Sequence, residues 1–186
     1  MRSAYKSIPA LKFMCITHKI APMKSTANLL GALTMALTDR IRGSTQKLLE
    51  RAGESPAAIV VIGYVPGISV ELLRQVLGLS HPGTVRLIDR LSDDGYVERQ
   101  KAKDGRAVAL HLTTAGTDLR ANLMDSRIEI LENAVESLSS NEQEMLGHLL
   151  SKVLSTLPET EMDKHHICRL CSTTACPDCP IRGNAI

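Results

Sequence analysis

The chain has 186 residues, 44% of them hydrophobic and 23% charged, with 22 Lys and Arg against 20 Asp and Glu. That apolar share excludes a disordered chain, and the length suits one domain, alone or with a small appendage. The longest apolar run, residues 57–65, is broken by Gly63 and closed by Pro66-Gly67, far short of the ~20 residues a bilayer crossing needs, which excludes an integral membrane protein.

Charge is unevenly spread. Residues 1–24 hold Arg2, Lys6, Lys12, Lys19 and Lys24, and the first acidic residue is Asp39. Without those five cations, 17 remain against 20 acids, so residues 25–186 carry −3. Nucleic-acid binding must therefore be argued from local geometry rather than net charge. Lys12 and Lys19 interrupt any apolar core a signal peptide would need. Residues 1–24 read as a basic N-terminal extension: an arm, a short extra helix, or sequence upstream of a start at Met23.

From Ser25 to Ala52, Leu29, Leu30, Leu33, Leu37, Ile41, Leu48 and Leu49 recur every three to four positions, which predicts a long amphipathic helix closed by Gly53. Ser55-Pro56 can cap a second helix, yet its body, Ile59-Val60-Val61-Ile62, is β-branched and by propensity could be a buried strand. Ser69 opens a short helix that stops at Gly78. Ser80 caps the next, with Pro82 in its first turn and Val85, Ile88 and Leu91 facing inward. Two short helices joined by a tight Gly-containing turn form a helix-turn-helix pattern.

Residues 96–103 read as a strand, Asp104-Gly105 as a two-residue hairpin turn, and Val108, Leu110 and Leu112 as one side of the return strand. A hairpin in that place is a wing. Thr113 or Thr114 then caps a second long helix. The overlapping boxes Ser139-x-x-Glu142 and Ser140-x-x-Gln143 start a final helix that Pro158 stops. The fold class is mainly α with a small β-hairpin wing.

On the helix starting after Ser80, Arg86 and Arg90 fall nearly opposite Val85, Ile88 and Leu91, about 40° apart. Gly83 points the same way and lets the backbone approach a phosphate or a base edge, while His81 sits in the first turn, where free N–H groups favour phosphate. Arginine suits bidentate contact with guanine in the major groove. Arg86 and Arg90 are therefore the candidate base readers, with Lys101, Lys103 and Arg106 on the wing reaching for backbone or minor groove. The bland alternative for each residue alone is a solvated face.

Residues 25–157 resemble the MarR family of bacterial winged-helix transcriptional regulators. The run from Leu79 to Gly116, LSHPGTVRLIDRLSDDGYVERQKAKDGRAVALHLTTAG, is similar to that family's recognition helix, wing and entry to the following helix; Asp104-Gly105-Arg106 and Leu112 to Gly116 are its most specific parts. The resemblance implies a winged helix-turn-helix over 55–113 and dimerisation helices at 25–53 and 114–157. It also implies a helical Ile59–Ile62 stretch, a homodimer on a pseudo-palindromic operator, and a bacterial, cytoplasmic, nucleoid-associated repressor that responds to a small ligand, metal or redox signal. Independently, one recognition helix covers few base pairs, whereas a two-fold dimer doubles the contacts at a spacing of about one duplex turn.

Residues 158–186 form a Cys-rich tail outside the family's usual pattern. Cys168, Cys171, Cys176 and Cys179 follow C-x2-C-x4-C-x2-C spacing, and in a reducing compartment such thiols read as metal ligands before disulfides. A Zn site, an iron–sulfur cluster and a redox thiol pair stay open, although four residues between the pairs is tight for Zn. His165 and His166 read as solvated or at a helix end, and Cys15 as a spare thiol. Because the tail follows the helix expected at the dimer interface, a change there could alter the separation of the recognition helices.

No G-x-S-x-G, P-loop, H-E-x-x-H or dinucleotide fingerprint is present, and four cysteines would saturate a single Zn, so an enzyme is not expected. The competing reading is a redox or metal-binding interaction protein that uses the winged fold for protein contacts.

Overall fold

A computed structural model of the chain describes residues 22–49, 53–101, 108–172, 175 and 179–181. The elements run α1 (Pro22–Leu49), α2 (Ser55–Tyr64), β1 (Ile68–Ser69), α3 (Val70–Leu77), α4 (His81–Asp93), β2 (Val97–Lys101), β3 (Val108–Leu112), α5 (Thr114–Val135), α6 (Ser140–Leu154) and α7 (Glu161–Cys168). The chain divides into two units, 1–35 and 36–186, and α1 runs through the boundary. No helix among the described residues is long and apolar enough to cross a membrane.

The β-branched segment 59–62 is helical, and its surroundings explain why. Residues 55–62 of α2 are all buried, packed against α3, α5 and β3. A helix that is apolar all round belongs at the centre of a core, where burial on every face outweighs a propensity cost of a few tenths of a kcal/mol per residue. Around it lie Ile68, Leu73, Val76, Leu77, Leu87, Ile88, Leu91, Val97, Leu110, Leu119 and Leu123.

The sheet has the order β1-β3-β2, both pairings antiparallel. The hairpin was expected; β1 was not, because a two-residue strand has no period to read. It matters nonetheless. Ile68 pairs with Leu110 and Ser69 with Ala109, so the base of the hairpin is fastened to the start of α3.

Caps follow the sequence closely. Ser69 accepts from the Leu72 N–H at 3.1 Å, Ser80 from the Gly83 N–H at 3.3 Å, and Thr113 from the Gly116 N–H at 3.0 Å. At the start of α6 the Ser139 N–H donates to Glu142 at 2.8 Å. The overlapping Ser140/Gln143 box is not used, since Gln143 Nε2 reaches back to the Leu138 and Val135 carbonyls. The long first helix begins at Pro22 rather than Ser25.

One helix was missed. Thr160 and Asp163 form a reciprocal cap that opens α7, and α7 packs on α3.

Candidate nucleic-acid interface

α4 sits on the core through Thr84, Leu87, Ile88 and Leu91, all buried, with Val85 only half-buried. The inward set is thus i, i+3, i+4, i+7, with a threonine in the place where an apolar residue was sought. Thr84 fits because its hydroxyl donates to the Ser80 carbonyl at 3.1 Å, which satisfies its polar group inside the core. Measured from this set, Arg86 points roughly away from the core and Arg90 about 40° further round. Both are exposed, as are His81 and Pro82, while Gly83 is half-buried against Ser80. Arg90 Nε donates to the Arg86 carbonyl at 3.1 Å, so this side chain lies along the helix.

Next to α4, α3 is held to its turn. Gly78 adopts φ +66 at the end of α3, and its N–H and that of Leu79 return to the Gln75 and Arg74 carbonyls. Only a residue comfortable at positive φ closes a helix this way, which fixes how α4 leaves α3. On the solvent side Arg74 makes two bonds to the Glu71 carboxylate, at 2.6 and 2.9 Å, and these hold Glu71 below the usual carboxylate range.

The wing meets α4 through an ion pair that sequence reasoning missed: Arg99 on β2 lies 2.5 Å from Asp89 on α4. Asp89 is half-buried and flanks Arg86 on the side away from Arg90, about 60° round the helix, where a bare carboxylate would repel phosphate. Arg99 neutralises it and joins helix to hairpin. The clue in the sequence was an acid next to Arg90 on α4 and a following strand, Glu98-Arg99-Gln100-Lys101, that carries charges of both signs. Lys101, opposite Val108, is exposed at the last described position of β2. Lys103 and Arg106 lie outside the described residues.

Two further regions bear on function. The α5 face toward α1 meets it at Ser44 and Ser126, whose hydroxyls are hydrogen-bonded. Beside them is an open groove of about 410 Å³, lined by Asp39, Arg40, Lys47, Glu129 and Asn133 among others. In the tail, Cys168 is buried and Cys171 and Cys179 are half-buried, while Cys176 and Cys15 lie outside the described residues. Among the described residues no three His, Cys, Asp or Glu side chains gather closely enough to hold a metal ion.

Residues 49–107 match the model of the MarR family. The chain is 26% identical over 159 residues to the transcriptional repressor MprA of Escherichia coli, an alignment covering 82% of this chain and 89% of MprA. Its backbone is similar to that of MarR from E. coli in the apo form, with a TM-score of 0.61, 23% identity, and coverage of 76% of this chain and all of that one. It is similar as well to Streptococcus pneumoniae FabT, solved in complex with DNA, with a TM-score of 0.58, 22% identity, and coverage of 73% and 96%.

Proposed function

We propose that the chain is a MarR-family regulator, a sequence-specific DNA-binding repressor that works as a homodimer in the bacterial cytoplasm; the match of residues 49–107 to that family's model, the 26% identity to MprA and the shared winged-helix fold support this reading. The observation that carries this is the exposed Arg86–Arg90 pair on a helix whose opposite face is fully committed to the core. Two guanidinium groups spaced by one helical turn can address neighbouring bases in a major groove, while the amino end of α4 and Lys101 meet backbone phosphates. The wing residues Lys103 and Arg106 belong to the same reading.

The dimer is supported by apolar residues that the single chain leaves in solvent. On α6, Met145, Leu149, Leu150 and Val153 are exposed, and Leu157 follows just after it. On α1, Leu29, Leu30, Leu33 and Met35 are exposed as well. Large apolar side chains recurring at helical spacing on one face mark a protein contact. The polar groove between α1 and α5 is the place this reading gives to a small polar effector.

The test is fluorescence anisotropy with the DNA upstream of the protein's own gene and with a scrambled duplex. Arg86→Ala and Arg90→Ala should each weaken operator binding by about 1–3 kcal/mol. They should leave binding to the scrambled duplex within about one salt-sensitive phosphate contact of the parent. Equal losses on both duplexes would assign these arginines to phosphate, and no operator preference in the parent would remove the regulator reading.

A further inference from the structure

Residues 159–171 return to the helix-turn-helix from far along the chain. Thr160 and Asp163 cap the start of α7, and at its other end Arg169 donates to the His166 carbonyl at 2.6 Å. Eight residues are too few for a helix to stand by itself in water, so α7 depends on what it packs against. Met162 and Leu170 pack on the core that α2 and α3 share. Arg169 also donates to Glu54, just ahead of α2, at 3.2 Å, and the Tyr64 hydroxyl donates to the Cys171 carbonyl at 2.8 Å. These contacts fix α7 against α3 and turn the half-buried His166 toward the carboxyl end of α3.

That end has acceptors to satisfy. A helix leaves its last four carbonyls without an intrahelical donor. In α3 these belong to Arg74, Gln75, Val76 and Leu77. The Gly78 N–H donates to the Gln75 carbonyl at 3.2 Å and the Leu79 N–H to the Arg74 carbonyl at 3.1 Å. The Val76 carbonyl is met from 90 residues further on, by His166 Nδ1 at 2.9 Å. A carbonyl only accepts, so Nδ1 carries the proton. The same ring stands 3.5 Å from where a Cβ on Gly78 would lie. An imidazole donor is favoured there, because the carboxyl end is the negative end of the helix dipole. Two local N–H groups and one side chain from the tail thus close α3 at the turn from which α4 departs.

We propose that His166 is a positioning residue for DNA reading. By capping α3 from the tail it fixes the turn at Gly78 and Leu79, and so the direction in which α4 presents Arg86 and Arg90. Without the cap the last turn of α3 opens locally, and α4 loses its single orientation. The effect on DNA rests on the DNA-binding reading; the cap itself does not.

Amide exchange and fluorescence anisotropy on the full-length protein separate the two. His166→Ala should speed exchange of the amides of residues 74–79 by about fivefold, the loss expected of one net hydrogen bond, while α5 keeps the parent's rates. It should also lower the ratio of operator to scrambled-duplex affinity by about threefold or more, since apparent affinity follows the population of the competent arrangement. His166→Asn, whose amide nitrogen falls near the place of Nδ1, should restore both. Unchanged exchange at residues 74–79, a uniform rise that includes α5, or an Asn variant as fast as the Ala variant overturns the cap. Faster exchange with an unchanged operator preference overturns the positioning role. Faster exchange in a protein whose parent prefers no operator supports the cap and removes the DNA reading.

Discussion

Among the glycines of the described residues, Gly116 leaves the least room for a side chain. A Cβ built there would stand 2.0 Å from the Tyr96 carbonyl oxygen, which the backbone cannot relieve by a side-chain turn. The approach is close because the Thr113 N–H donates to that same oxygen at 3.1 Å and the Thr113 hydroxyl to the Gly95 carbonyl at 2.6 Å. Gly116→Ala should therefore destabilise the fold by about 2–4 kcal/mol, an overpacking cost at the upper end of the usual range. Thermal denaturation checks it, and an unchanged midpoint would mean that α5 can shift away from the wing. The Asp89–Arg99 pair predicts the reverse balance. Both side chains are roughly half exposed, so Arg99→Ala should change stability by less than about 1 kcal/mol. Operator affinity should nevertheless drop, because Asp89 is left as a bare carboxylate beside Arg86, where it would repel phosphate. Restoring affinity with Asp89→Asn in the Arg99→Ala background would identify charge, rather than shape, as the cause.

At the scale of elements, caps were the most legible feature. Ser69, Ser80, Thr113 and Ser139 were all marked by a small hydroxyl residue just ahead of an apolar period, and each satisfies or organises an otherwise orphaned helix end. The capping of α6 carries a pH consequence. Hydrogen bonds from the Ser139 hydroxyl and N–H hold Glu142 below its ordinary value of 4.5. A depressed carboxyl contributes stability that is present above the unfolded value and lost as pH falls through the folded one. The α6 amides should therefore exchange faster as pH falls below about 4.5, after correction for intrinsic rates. Glu142→Gln should flatten that dependence, and an identical profile in the variant would place the titration elsewhere. Asp163, held down by the Thr160 N–H and hydroxyl, gives α7 the same sense of dependence.

For the whole molecule, the exposed faces of α1 and α6 set the assembly expected. Leu149→Glu with Val153→Glu places charges on the α6 face and should shift sedimentation from dimer to monomer. The α2–α5 core should still unfold cooperatively, because neither residue is buried in the single chain. A parent protein that sediments as a monomer at micromolar concentration would sink the dimer, and with it the two-fold operator.

What sequence alone determined is whatever rests on local chemistry: helix periods, hydroxyl caps, glycine stops, the hairpin, and the outward arginines of α4. Contacts between distant residues were beyond it. Ile59 to Ile62 could not be assigned by propensity, since only burial on every face makes a β-branched run helical. β1 exists because β3 supplies its partner, and Asp89 meets Arg99 only when the wing folds back on α4. The tail shows the difference most sharply. Its cysteine spacing was plain, but chain order placed it beside the dimer helices, whereas packing on α3 and hydrogen bonds to Val76, Tyr64 and Glu54 place it on the helix-turn-helix. Spacing along a chain encodes chemistry; only three-dimensional packing decides where that chemistry acts.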